Sequence, residues 1–107
     1  MICVQVLTAP SGDIVGFSIE GHADYAESGS DIVCAAVSSA AFLIANTVTE
    51  VMHLSAQILV EDDGSMYLRV SKGDAVQCRN LFAGFKLHMQ GLEEQYPENI
   101  QVNYLEV

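Results

Sequence analysis

The sequence predicts an α+β domain in which two helices pack on a mixed or largely antiparallel sheet of about five strands. Five short segments alternate apolar and polar residues, two longer segments have helical periodicity, and turn-forming residues separate them. Their order along the 107 residues is ββαββαβ. A chain of this length forms one hydrophobic core, so we expect a single domain over residues 1–107.

Two pairs of predicted strands are joined by short turns and should form hairpins. A Pro-Ser-Gly turn joins the first pair, and an Asp-Gly turn, a strong hairpin signal, joins the second. The hydrophobic pattern leaves the order of the strands in the sheet open. The predicted strands are residues 2–7, 14–20, 56–61, 66–70 and 100–107.

The first predicted helix runs from Asp31 to about His53 and has no charged residue between 32 and 49. An apolar surface of this width needs cover on most sides. We therefore expect one side to pack on the sheet and another to meet a second copy, giving a homodimer in which small residues allow close approach. These small residues are Ala35, Ala36, Ala40 and Ala41. Polar residues within the helix and acidic flanks without Lys or Arg argue against a membrane span.

The second predicted helix begins with Asp74 as its N-cap and ends at Tyr96-Pro97. Its apolar residues recur at helical spacing and predict a buried face. Cys78 belongs to this face, which predicts a core role for this cysteine. The face consists of Cys78, Leu81, Phe82, Phe85, Met89 and Leu92.

Composition narrows the possible partners. Fourteen acidic and four basic residues give a formal net charge of −10, which disfavours direct binding to nucleic acid and favours a basic partner. The three cysteines are scattered and the N-terminus has no signal-peptide pattern, so we expect reduced thiols and a cytoplasmic protein. No cofactor motif is present. A zinc site of His22, Cys34 and His53 lacks the usual ligand spacing and is not favoured.

The stretch from Gly21 to Cys34 has the features of a cysteine-nucleophile site. His22 follows a predicted strand and Cys34 lies near the start of a helix, with Asp31 as the predicted cap. The thiolate is the reactive form of cysteine, and an imidazolium or a helix N-terminus stabilises it. With Asp31 as the cap, Cys34 is the third helical residue, beside unpaired amides that could also hold an oxyanion.

Several residues around this pair have supporting roles in the same hypothesis. Asp31 or Asp24 would orient the imidazole, and Ser38 would lie one turn beyond the thiol on the same helix face. Residues 23–30 are polar, and we expect a lid over bound substrate that contains Asp24 and Glu27, with Gly29 as a hinge. An ordinary exposed loop is the alternative for this segment.

The sequence GHA at 21–23 followed by GSDIVCAAVS at 29–38 resembles the two-part signature of the ribosomal-processing cysteine protease (Prp) family. Length and element order also agree, so the resemblance covers nearly the whole chain. It implies that His22 and Cys34 are the catalytic pair and that Gly21, Asp31 and Ser38 are supporting positions. It further implies an endopeptidase that removes an N-terminal extension from a bacterial large-subunit ribosomal protein, and so supports ribosome assembly.

Two other functions are compatible with the residues alone. Cys34 could serve a thiol redox sensor, although no neighbouring resolving cysteine is visible. The motif could also be structural in a non-enzymatic, ribosome-associated dimeric binding module.

Overall fold

The computed structural model describes residues 1–21 and 28–107, with side chains from residue 32 onward in the second range. The described elements have the predicted ββαββαβ order, with the second helical region divided in two. They are β1 (Ile2–Thr8), β2 (Ile14–Glu20), α1 (Ser28–Asn46) with a π-helical turn (Thr47–Val51), β3 (Ala56–Val60), β4 (Met66–Val70), α2 (Lys72–Gln77), α3 (Arg79–Gln95) and β5 (Ile100–Glu106).

The five strands form one mixed sheet in the order β3-β4-β2-β1-β5. β5 pairs with β1 in parallel, and the other three pairings are antiparallel. The two predicted hairpins, β1–β2 and β3–β4, are both present. The mixed five-stranded sheet with helices packed on it is therefore confirmed.

The core lies between one face of the sheet and the helices. Phe17 in β2 stacks on Phe85 in α3, with ring centroids 4.4 Å apart. Val6 and Leu68 are paired directly with Phe17 across the neighbouring strands, so they share its face. By strand alternation the helices pack on the face of Phe17, and the opposite face carries mainly polar or partly exposed side chains, among them Ser18, Tyr67 and Arg69. Leu7 is a fully buried exception on that face.

The first helix begins at Ser28, three residues before the predicted cap. Its inner side supplies buried residues at helical spacing, including Val33, Val37 and Ala41. Ala41 therefore belongs to the core and cannot contact a partner. The expectation that it meets a second copy is wrong. By length and composition, the stretch Ile32–Val51 could cross a membrane, but a long core helix has the same properties.

The C-terminus of this helix is unusual. After the π-helical turn, the amide of Leu54 donates to the carbonyl of Val48, and His53 adopts a left-handed backbone with φ of 56°. This closure spans seven residues, one more than the six-to-one bond of the caps that end many helices, where glycine is the common left-handed residue. The predicted helix end at His53 is close to the observed end at Val51.

The second helical region departs from the prediction at its start and near its centre. Ser71, not Asp74, is the N-cap, and its hydroxyl accepts a hydrogen bond from the amide of Asp74 at 3.1 Å. A non-helical backbone at Cys78 separates α2 from α3. The predicted buried face is nevertheless present, since Cys78, Phe82, Phe85 and Met89 are all buried.

Candidate active site

Gly21 connects the end of β2 to the segment that begins with His22. Its φ is +86°, a left-handed conformation that glycine adopts readily. A Cβ at this position would overlap the carbonyl oxygen of Met1. The backbone at the N-terminus thus packs against Gly21, one residue before the predicted catalytic base. The predicted β1–β2 hairpin accounts for this contact, because Cys3 pairs with Glu20 and the residues before Cys3 therefore lie beside Gly21.

Three of the predicted site residues, His22, Asp24 and Glu27, lie outside the described residues, as does the side chain of Asp31. Their roles remain predictions. Gly29 lies within α1, so the prediction of a loop over residues 23–30 is wrong for its last three positions. Any lid must end before Ser28.

Cys34 is half-buried and packs against the edge of the core. It is the seventh residue of α1 and not the third, because the helix begins at Ser28. The amides left unpaired by the helix are those of its first turn, roughly 4.5 to 9 Å along the axis from Cys34. The predicted position of Cys34 as the third helical residue is therefore wrong, and the sulfur lies about one turn further from these amides than predicted.

The helix turns Cys34 away from α3. Ala36, Ala40 and Leu43 line the groove between α1 and α3. Successive helical residues are rotated by about 100°, which places Cys34 on the other side of the buried stripe. Ser38 is exposed one turn further along this side, as predicted. A substrate would therefore reach Cys34 from the side of the helix that faces away from α3.

The other two cysteines have different environments. Cys78 is fully buried where α2 meets α3, and burial, together with the charge of Asp74, raises the pKa of its thiol. Both effects oppose a nucleophilic role. Cys3 is half-buried in β1 and, by strand alternation, faces the side of the sheet away from the helices. Cys78 lies at the start of α3, as its N-cap residue, but is buried. Of the three, Cys34 alone is a partly exposed thiol on a helix.

The described side chains contain no group of three His, Cys, Asp or Glu residues placed to hold a metal ion. Cys34 lies near the N-terminal end of the helical segment, and His53 follows its C-terminal end. Nineteen helical residues span roughly 28 Å, so Cys34 and His53 cannot share a metal ion.

Comparison with known proteins identifies the family. Residues 1–101 match the family model described as Cysteine protease Prp. The chain belongs to the cysteine protease Prp family. The ribosomal processing cysteine protease Prp of Staphylococcus aureus (strain Mu50) is 30% identical over 105 residues, covering 97% of this chain and 99% of the relative. The protein of the same name from Bacillus subtilis (strain 168) is 27% identical over 107 residues, covering 95% and 96% of the two chains.

A solved structure supports the same assignment. The Prp protease from S. aureus in complex with a substrate peptide superposes with a TM-score of 0.86 and 28% identity, covering 98% of this chain and all of that one. The Prp family resemblance of the sequence is thereby confirmed. The protein is accordingly a cysteine-type endopeptidase with the Prp fold.

Proposed function

We propose that this Prp-family protease removes an N-terminal extension from a bacterial large-subunit ribosomal protein and thereby supports ribosome assembly. The observation that carries this proposal is the whole-chain match to ribosomal processing proteases, one of which has been solved with a substrate peptide. The formal charge of −10 suits a basic ribosomal substrate and disfavours direct contact with nucleic acid. A ribosomal substrate and reduced thiols also favour a cytoplasmic location. The protease domain in this proposal spans residues 1–107.

The proposed nucleophile is Cys34, with His22 as its base. His22 accepts the thiol proton, the sulfur attacks the scissile carbonyl, and the imidazolium then protonates the leaving amine. Water hydrolyses the resulting thioester, with His22 again acting as the base. Asp31 or Asp24 orients the imidazole, and Ser38 donates a hydrogen bond to the substrate or to the ring. The half-exposed position of Cys34 supports this role.

A cleavage assay tests the catalytic pair. The substrate is a peptide spanning the N-terminal extension of the ribosomal protein, and the expected result is cleavage that both Cys34→Ala and His22→Ala abolish. Cys78→Ala is the control, since Cys78 is buried where α2 meets α3 and its thiol pKa is raised, and it should retain activity. Undiminished cleavage by Cys34→Ala would refute the assignment. Peroxide consumption without cleavage would favour a redox function.

We also propose that the protein is a homodimer formed through α1 and α3. A groove of about 660 Å³ between these helices is lined mainly by apolar side chains, among them Leu81 and Leu92. Leu43 and Leu87 border it and are 65% and 71% exposed. Isolated exposed apolar residues are common, but a continuous patch of this kind marks an interaction surface. A second copy would cover it with the same apolar side chains.

Light scattering at micromolar concentration tests the dimer. The wild type should have the mass of two chains, and Leu43→Glu should have the mass of one because a buried charge opposes association. Leu105→Glu is the control, because Leu105 is also exposed but lies on β5, away from the groove. A monomeric wild type would count against the dimer.

A further inference from the structure

A concave pocket of about 300 Å³ lies where β2, β3 and β4 meet. Phe17 faces the helices, so Ser18, the next residue along β2, faces the other side of the sheet. Ser18 pairs directly with Tyr67, and Tyr67 pairs with Leu59. These three residues form a row across the pocket on the face of the sheet that the described helices leave uncovered.

The chemistry of the pocket suits a long cationic side chain. Glu20 and Glu61 line it and are both exposed, and its described lining residues include neither Lys nor Arg. Arg69 is the nearest cation on this face, paired with Gln57 at the rim. Tyr67 and Leu59 provide apolar surface for an aliphatic stem, and the two carboxylates provide acceptors for its charged end. The Tyr67 ring is a further favourable neighbour for a cation. The pocket therefore combines the two surfaces that a Lys or Arg side chain requires.

The pocket lies at the end of the sheet where the candidate active site begins. Glu20 is the last residue of β2 and stands two positions before His22. Helix α1 runs from this end towards the start of β3, so Cys34 lies nearer to this end as well. An extended peptide advances about 3.4 Å per residue. The pocket and Cys34 lie on opposite faces of the sheet, so a peptide that occupies both passes around this end of it, and several residues separate the one in the pocket from the scissile bond.

We propose that the pocket formed by Glu20, Leu59, Glu61 and Tyr67 is a subsite that binds a Lys or Arg side chain of the peptide substrate. This inference rests on the proposed function and specifies how the acidic protein selects a basic chain. These four are binding residues and take no part in the covalent steps. Their effect should fall on KM and leave kcat unchanged.

The test varies the enzyme and the substrate together. Each basic residue of a cleaved peptide is replaced in turn by norleucine, which keeps the stem and removes the charge. At one position, the replacement should raise KM by about tenfold, as expected for a charge-assisted contact on a protein surface. The double variant Glu20→Gln/Glu61→Gln should raise KM for the parent peptide by the same factor as the norleucine replacement does in the wild type. The variant should have the same KM for the parent and norleucine peptides. Glu98→Gln/Glu106→Gln is the charge-matched control and should behave as wild type.

The outcomes separate this inference from the proposed function. Suppose that the wild type cleaves the peptide. If the Glu20→Gln/Glu61→Gln variant then has a KM that is raised by the same factor for both peptides, or is not raised at all, the subsite is refuted while the protease function stands. If the wild type cleaves no peptide, the proposed function fails, and fluorescence binding of the same peptide pair to Cys34→Ala still tests the pocket. Equal binding of the two peptides in that assay would overturn the subsite.

Discussion

At the scale of single residues, the three cysteines offer a direct comparison of reactivity. Cys34 lies on an accessible side of α1, whereas Cys78 is fully buried with a raised thiol pKa and Cys3 is half-buried in a strand. Since thiolate content and access control alkylation, iodoacetamide should modify Cys34 first and Cys78 last in the folded protein. Mass spectrometry of timed digests measures the order. Equal labelling of all three in the folded state would contradict it.

Gly21 is the residue at which backbone geometry bears most directly on the site. In Gly21→Ala, the left-handed φ is strained and the new methyl group overlaps the Met1 carbonyl. The backbone must shift next to His22, and a displacement of about 1 Å in a catalytic group can lower activity roughly 100-fold. We expect kcat/KM to fall by about 10- to 100-fold, measured by peptide cleavage.

Gly12 provides the control for this substitution. It has a similar φ of +91°, but a Cβ there would have no neighbour within 4 Å. Gly12→Ala therefore introduces the same kind of backbone strain without the overlap. It should lower the free energy of unfolding by about 1 kcal/mol and leave cleavage unchanged. Equal loss of activity in the two variants would show that strain, and not the contact with Met1, is responsible.

At the scale of secondary structure, the strands were predictable because their alternation is local. Each predicted strand agrees with the structure to within one residue at either end. The start of α1 was not predictable in the same way, since Ser30 and Asp31 are both favourable N-caps, whereas the helix already includes Ser28. Local capping preference cannot choose among them. The break at Cys78 has no glycine or proline to signal it, and the apolar periodicity continues across it.

The edge strand β5 is held by a contact that the sequence pattern did not indicate. A carboxylate oxygen of Glu93 in α3 accepts a hydrogen bond from the amide of Val102 at 2.7 Å. A bond to a charged acceptor stabilises by about 1.5–3 kcal/mol. Glu93→Ala should therefore lower the free energy of unfolding by about 1–2 kcal/mol, measured by urea denaturation, and should speed amide exchange at Val102.

Glu94→Ala is the control for the edge-strand prediction. Glu94 is the next residue of α3 and is exposed, so its replacement removes one negative charge without removing a backbone contact. It should change stability by less than about 0.5 kcal/mol. If both variants unfold at the same urea concentration, then Glu93 contributes through charge alone.

At the scale of the whole molecule, the sheet order depends on contacts between distant parts of the chain. β5 pairs with β1 across about a hundred residues of sequence, and no local pattern encodes that parallel pairing. The candidate site has the same property. The His22–Cys34 pair could be proposed from one continuous stretch, whereas the pocket beside Tyr67 needs β2, β3 and β4 to be assembled first.

An ion pair joins two parts of the chain that are 66 residues apart in sequence. Asp13, in the β1–β2 turn, accepts two hydrogen bonds from Arg79 at the start of α3, at 3.0 Å from Nε and 3.2 Å from Nη2. The hydrogen bond and charge of Arg79 lower the pKa of Asp13. A depressed pKa in the folded state means that the ionised carboxylate stabilises the fold. This contribution is complete above the unfolded pKa of about 4 and is lost as the pH falls through the folded value.

Asp13→Asn should therefore be less stable than the wild type at pH 7, and the difference should shrink towards zero as the pH falls below about 4. Arg79→Gln should give the same pH profile. The double variant should be little less stable than either single variant, because each of the three variants removes the same ion pair. Raised salt should reduce the difference at pH 7, since both side chains are partly exposed. Urea denaturation across this pH range measures it. A difference that stays constant down to pH 2 would show that Asp13→Asn acts through something other than the loss of the ionised carboxylate beside Arg79.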